Sequence, residues 1–249
     1  MSKSILKINN LKKNYHTDNS EIIALDNISF DISENEFISI VGPSGCGKST
    51  ILSILADLES KSSGNFNFSK PVKIGYMLQN DSLFSWRTVL DNCLIGLEIS
   101  GNLNDATKNY VISLLKNYGL EEFMYQYPSS LSGGMRQRVA LIRTLAINPD
   151  ILLLDEPMSA LDYQSRLAIS DDIYNIIKKE GKTVIMVTHD IAEAISMSDK
   201  IIVLTKRPAS VKKIYNIELT NKSTPINNRK CKEFACYYDL IWRDLDVHL

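Results

Sequence analysis

The sequence predicts an α/β fold: a parallel sheet with helices packed on it. Three observations carry that expectation. Gly42-Pro43-Ser44-Gly45-Cys46-Gly47-Lys48-Ser49-Thr50 fits the pattern G-x-x-x-x-G-K-[ST]. A β-like run, residues 37–41, precedes it, and Ile51, Leu52, Ile54, Leu55 and Leu58 follow at helical spacing. Ile151-Leu152-Leu153-Leu154 is an unbroken aliphatic run of strand length, as a strand buried on both faces requires, and it ends in Asp155-Glu156-Pro157. Two further runs of that kind, 183–187 and 201–204, lie downstream, the first ending at Thr188-His189-Asp190.

The bulk composition bounds the function class. At 249 residues, 44% hydrophobic and 23% charged, the chain can bury a substantial core. A net charge of −1 gives no basic footprint for nucleic acid. The four cysteines (Cys46, Cys93, Cys231, Cys236) form no C-x-x-C pair, which suits reduced thiols in a cytosolic protein. The three histidines (His16, His189, His248) are too scattered for a zinc site. The N-terminus has no apolar signal core, and no run reaches the roughly 18 apolar residues of a membrane span, so a membrane role would come through a partner.

Taken in order, residues 4–9 and 28–32 read as short β segments, and 12–20 as a polar loop apart from Tyr15. Tyr15 either stacks on a purine ring or packs at a hairpin end; the residues alone do not choose. The glycines of 42–50 let backbone N–H groups curl round phosphate oxygens, and the helix that follows adds its positive end. Lys48 then reaches the β- and γ-phosphates, and the Ser49 hydroxyl can bind Mg²⁺. Residues 60–70, rich in Ser, Asn and Lys, read as a surface turn or hairpin. Residues 74–78 are strand-like and end at Gln79, whose amide can bond both a metal and a water.

From 88 to 145 the texture is helical. Ala106, Tyr110, Val111, Leu114, Leu115 and Tyr118 form one apolar stripe stopped at Gly119. Ser132-Gly133-Gly134 before another helical run is a second anion-binding helix start, which one nucleotide does not need. Asp155 suits Mg²⁺, and Glu156 beside it could polarise an attacking water. Asp162 can cap a helix over 163–180 that Gly181 stops. His189, at a strand end, could contact a γ-phosphate. Beyond 208 the chain is polar and mixed, with a weak helical pattern over 232–245.

Together these motifs resemble the ATP-binding cassette (ABC) transporter ATPases. They stand in that family's order: a Walker A loop (42–50), a Q-loop glutamine (Gln79), and the signature Leu131-Ser132-Gly133-Gly134-Met135-Arg136-Gln137-Arg138. A Walker B strand with its glutamate (151–156), a D-loop (Ser159-Ala160-Leu161-Asp162) and an H-loop (His189) complete the set. The resemblance implies a P-loop NTPase (RecA-like) core with an N-terminal antiparallel β subdomain and an inserted helical subdomain over 88–145. All of 1–249 would be one ABC ATPase domain, with about 210–249 as a C-terminal extension. It implies ATP and Mg²⁺ as ligands. Tyr15 is then the adenine-stacking aromatic, residues 42–50 hold the phosphates, and Ser49, Gln79 and Asp155 hold Mg²⁺. Glu156 is the general base, His189 the γ-phosphate switch, and Gln79 the sensor of metal and water that links to the permease. Residues 131–137 bind the ATP held by a second copy of the chain, so two subunits close head to tail on two ATP.

Within the family, Leu83-Phe84-Ser85-Trp86-Arg87-Thr88-Val89-Leu90-Asp91-Asn92 and Arg207-Pro208 resemble the nitrate/sulfonate/taurine importer group, which extends to thiamine-precursor importers. The implied protein is the ATP-hydrolysing subunit of an importer. It sits on the inner face of the membrane through a permease, and is served indirectly by a solute-binding protein. Two other readings fit less well. A soluble ABC protein acting on DNA or ribosomes usually has two cassettes or a coiled-coil insertion, and a regulatory module without turnover would not need Glu156 and His189. Asn35 and Asp57 stand where the family usually has Gly, and either could shift local packing.

Overall fold

A computed structural model describes residues 3–17, 20–159 and 161–245. The chain opens with two long strands, β1 (Ser4–Thr17) and β2 (Ser20–Ser33), antiparallel from Ser4↔Ser33 to Thr17↔Ser20. Then come β3 (Phe37–Val41), α1 (Lys48–Leu55), β4 (Ser63–Phe68) and β5 (Ile74–Met77). The helical stretch holds α2 (Val89–Ile99), α3 (Asp105–Asn117) and α4 (Gly133–Ala146). The rest of the core is β6 (Ile151–Asp155), α5 (Tyr163–Glu180), β7 (Thr183–Val187), α6 (Ile191–Met197) and β8 (Lys200–Leu204). Strand β9 (Val211–Asn216) and helices α7 (Pro225–Asn228) and α8 (Lys232–Asp244) end the described chain.

The strands form two sheets: an antiparallel sheet in the order β2-β1-β4, and a six-stranded sheet in the order β5-β6-β7-β3-β8-β9. In the large sheet only β9 runs antiparallel to its neighbour. Alternate residues of its central strands face different cores. Leu152, Leu154, Val184 and Met186 pack with the helices of the 88–145 stretch and with α5. Ile151, Leu153, Ile185 and Val187 pack with α1 and the antiparallel sheet. Burial on both faces is why these strands are aliphatic without interruption. The α/β class, the antiparallel β subdomain and the helical subdomain therefore all stand.

Several local expectations need correction. Residues 12–17 are strand, not loop. Lys13 turns inward and is almost fully buried, its ammonium 2.7 Å from Glu59 and donating 2.7 Å to the Ser60 carbonyl. Its inward partner is thus an ion pair that polar composition conceals. Residues 63–68 are likewise a strand, the third of the small sheet. Helix α1 stops at Leu55, and Leu58, read as part of its apolar face, is 68% exposed. The turn there passes through Asp57 at φ 58°, which breaks the helical phase. Strand β9 and helix α6 went unread: β9 is an edge strand with exposed charges, and α6 is only seven residues long.

Candidate functional site

The site forms along one rim of the large sheet. Because β5, β6, β7 and β3 are parallel neighbours, their C-terminal ends lie side by side. Those four ends carry Gln79, Asp155-Glu156, His189 and the loop 42–50, in that spatial order. This is the edge where parallel sheets place ligands.

Loop 42–50 turns through Gly45 at φ 70° and Gly47 at φ 117°, a region that favours glycine. At Gly47 a Cβ would also come within 2.9 Å of Leu25, so the close approach to β2 demands glycine twice over. Lys48 opens α1 and is buried, its Nζ donating to the carbonyls of Gly42 (2.9 Å) and Pro43 (3.1 Å). Those bonds hold the ammonium against the carbonyls at the start of the loop. Burial raises the Cys46 thiol pKa, so this cysteine is inert packing in the loop.

Next to the loop, the Ser49 hydroxyl donates to Asp155 Oδ1 at 2.9 Å, and the Tyr76 hydroxyl donates to Oδ2 at 3.2 Å. Burial lifts the Asp155 carboxyl above its ordinary range, while these two hydrogen bonds pull the other way. Tyr76 was not foreseen: three residues before Gln79 on β5, it carries no motif. Its own hydroxyl is pushed up to about 12, chiefly by burial, so it remains a donor to the carboxylate. The Ser49 hydroxyl, the Asp155 carboxylate and the Gln79 amide offer oxygen donors only, the set a hard divalent cation takes, so Mg²⁺ fits these residues.

Glu156 leaves the strand at φ 45° while its N–H donates 2.8 Å to the Val187 carbonyl. The left-handed turn separates its side chain from that of Asp155. Its Oε2 accepts from Gln79 Nε2 at 3.2 Å and lies 3.1 Å from His189 Nδ1. Three residues from three strand ends therefore meet at one carboxylate oxygen.

The remaining expected residues lie elsewhere. Ser132 caps α4, accepting from Met135 N–H at 3.3 Å, so 133–135 do form a helix start. Gly134 has no room for a side chain, since a Cβ would lie 2.7 Å from Ile169. Leu131 and Gln137 are both buried, and Arg136 pairs with Asp81 at 3.0 Å. Among the described residues no hydrogen bond or ion pair joins 131–137 to 42–50. Ser159 N–H donates to the Glu156 carbonyl at 3.1 Å, Leu161 is buried, and Asp162 caps α5; Ala160 lies outside the described residues. Tyr15 sits half-buried on β1, packed against the core that includes Cys46, with Lys13 Nζ 4.8 Å from its ring centre.

The sequence profile of the family described as ABC transporter matches residues 25–159. The chain is similar to the uncharacterised ABC transporter ATP-binding protein YtlC of Bacillus subtilis (strain 168). The two are 41% identical over 251 aligned residues, 98% of this chain and 96% of that one. The taurine import ATP-binding protein TauB of Rhizobium johnstonii is 38% identical over 205 residues, 80% of this chain and 78% of TauB. Among solved structures, the dimeric post-hydrolysis state of the ATP-binding cassette MJ0796 bound to ADP and Pi superposes with a TM-score of 0.74. It is 33% identical, with 86% of this chain and 99% of that one covered.

Proposed function

The chain belongs to the ABC transporter ATP-binding family, and from that premise we propose how its residues divide the work of an importer's ATPase subunit. The observation that carries the proposal is the meeting of Gln79, Glu156 and His189 at one carboxylate oxygen, beside the Ser49–Asp155 pair. The amides of 42–50 and Lys48 hold the β- and γ-phosphates, and Tyr15 stacks on the adenine. Ser49, Asp155 and Gln79 hold Mg²⁺, which when bound neutralises phosphate charge. Glu156 orients a water and accepts its proton as the water oxygen bonds to the γ-phosphorus. The bond to the β–γ bridging oxygen breaks, and ADP leaves with that electron pair. His189 and Gln79 fix the Glu156 carboxylate and report the γ-phosphate and the water.

Residues 131–137 have no bond to their own loop. In this proposal they cover the ATP of a second copy, and the dimeric MJ0796 relative supports that arrangement. No helix among the described residues is long and apolar enough to cross a membrane, so the coupling to transport runs through a permease at the membrane's inner face. Residues 83–92 and the likeness to TauB support a cargo of the nitrate, sulfonate or taurine kind, or a thiamine-precursor-like solute. That cargo would meet the permease and its solute-binding protein rather than this chain. Purifying the native complex and identifying the ligand of its binding protein tests that point.

The test of the catalytic assignment is Glu156→Gln. It is expected to bind ATP with affinity within about threefold, to lose hydrolysis by roughly 10²–10⁴-fold, and to persist as a dimer in light scattering with ATP. A monomeric variant that hydrolyses ATP at the normal rate overturns the assignment.

A further inference from the structure

The stretch that carries His189 is held by a polar ring that the chemistry above does not use. The Thr188 hydroxyl donates to Glu193 Oε2, the Asp190 N–H donates to Thr188 Oγ1 at 3.1 Å, and the Glu193 N–H donates to Asp190 Oδ1 at 3.0 Å. His189 is the residue between the two that close this ring. Glu193 is 3% exposed, and burial raises its carboxyl to about 7. One face of the ring is open to Arg166 of α5. Its Nη1 lies 3.4 Å from Asp190 Oδ2, and its Nη2 donates to the Leu161 carbonyl at 3.2 Å. The guanidinium thus bridges the His189 loop and Leu161.

Leu161 continues the path. Its Cδ2 lies where a Cβ on Gly133 would be only 3.1 Å away, so the leucine packs directly on the start of the signature run. A contiguous chain therefore runs from Gly133 through Leu161, Arg166 and Asp190 to His189, and from His189 to Glu156. Its two ends face different nucleotides in the head-to-tail pair: Gly133 the partner's ATP, Glu156 its own.

Burial argues that this link is kept for something other than stability. Arg166 Nε and Glu193 Oε1 are both buried with no hydrogen-bond partner, and both residues line the same small crevice as Glu156, Ser159 and His189. Unpaired buried polar atoms are destabilising, and an apolar filling of the crevice would avoid them. A planar fork with two fixed nitrogens can hold two separate loops in one geometry, which a lysine's single ammonium cannot do.

We propose that Arg166 is a positioning residue which, braced by Asp190 and Glu193, couples the signature run on one ATP to the His189–Glu156 pair on the other. The coupling rests on the catalytic roles assigned to Glu156 and His189 above. It makes each subunit's hydrolysis sensitive to whether its signature run is engaged.

A double-mutant cycle on the purified full-length chain tests this, using steady-state phosphate release and fluorescent-nucleotide binding. Arg166→Ala is expected to lower kcat by about 10–100-fold, the loss that an ångström-scale misplacement brings, with nucleotide affinity within about twofold. Combined with His189→Ala it should add almost no further loss, because both changes break one path. Arg166→Lys, which keeps the charge and covers the case in which the alanine variant does not fold, should still lose kcat with affinity unchanged. Normal kcat in either Arg166 variant overturns the proposal. So do losses that multiply with His189→Ala, or an effect confined to affinity and melting temperature. If His189→Ala itself hydrolyses normally, the catalytic reading falls and the coupling with it. If His189→Ala is impaired but the losses multiply, the coupling alone falls.

Discussion

Positive φ angles show at the residue scale how function and local sequence share the backbone. Eight non-glycine residues among those described take that conformation, and five are Asn, whose short side chain tolerates it. Asn35 (φ 61°) and Asp57 (φ 58°), the two positions where related ATPases usually carry Gly, are in this set. Both residues take the left-handed conformation that a glycine there would also allow. Ala at 57 has no such tolerance, so Asp57→Ala should destabilise the fold by about 1 kcal/mol, while Asp57→Gly should not. Urea unfolding of both variants decides it, and an alanine variant as stable as the glycine one would refute the account. Glu156 is the long-chained exception, and its strain falls at the chemistry, where such strain is characteristically retained. Residues whose chemistry dictates their type, such as Lys48, Asp155 and Glu156, were legible in the sequence. Tyr76 and Arg166 were not, because each acts only through a neighbour distant in the chain.

Helix α4 is where the elements meet. Arg136 pairs with Asp81 at 3.0 Å, and Arg143 donates to the carbonyls of Ser82 (2.8 Å) and Asp81 (2.5 Å), tying the segment after Gln79 to the signature helix. Just beyond, fully buried Asn92 accepts from the Phe84 N–H and donates to the carbonyls of Phe84, Arg87 and Thr88. This rigid turn holds the Phe84 ring 5.0 Å from that of Trp86, yet Trp86 remains 72% exposed. A large ring held outward on so well-bonded a base suits a partner helix laid across it. Trp86→Ala is expected to leave ATP hydrolysis by the isolated subunit within about twofold and to weaken co-purification with the permease at least tenfold, aromatic anchors being typical hot spots. Undiminished permease binding would remove Trp86 from that interface. Helices α3 and α5 could be read from stripe and cap signals, and α2 only as part of the helical texture from 88 to 145. Strand β1 beyond residue 11 could not, because its inward Lys13 is neutralised by a glutamate 46 residues away.

At the scale of the whole molecule, the order of motifs in sequence differs from their order in space, and only the second explains the site. The sequence runs loop, Gln79, signature, Asp155-Glu156, His189; the sheet places Gln79, Asp155-Glu156, His189 and the loop on adjacent strand ends and leaves the signature on a helix apart. The strand runs were readable, but their lateral order was not, since the central strands are buried on both faces and nothing in them marks a neighbour. A site split in this way makes a prediction that a self-contained site does not. Lys48→Ala disables the loop half, and Ser132→Arg disables the signature half. In a head-to-tail pair of one variant with the other, both defects fall on the same composite site and the second site is intact. Random mixing makes half the dimers mixed, each with one complete site of two, so two inactive preparations should recover activity when combined: about a quarter of normal if the sites are independent, and less to the degree that the coupling through Arg166 slows the chain whose own signature run is disabled. Phosphate release measured before and after mixing reads this directly. No recovery, with dimers shown to exchange but mixed dimers not stabilised by ATP in light scattering, would mean that each chain completes its own site and that residues 131–137 serve some other surface.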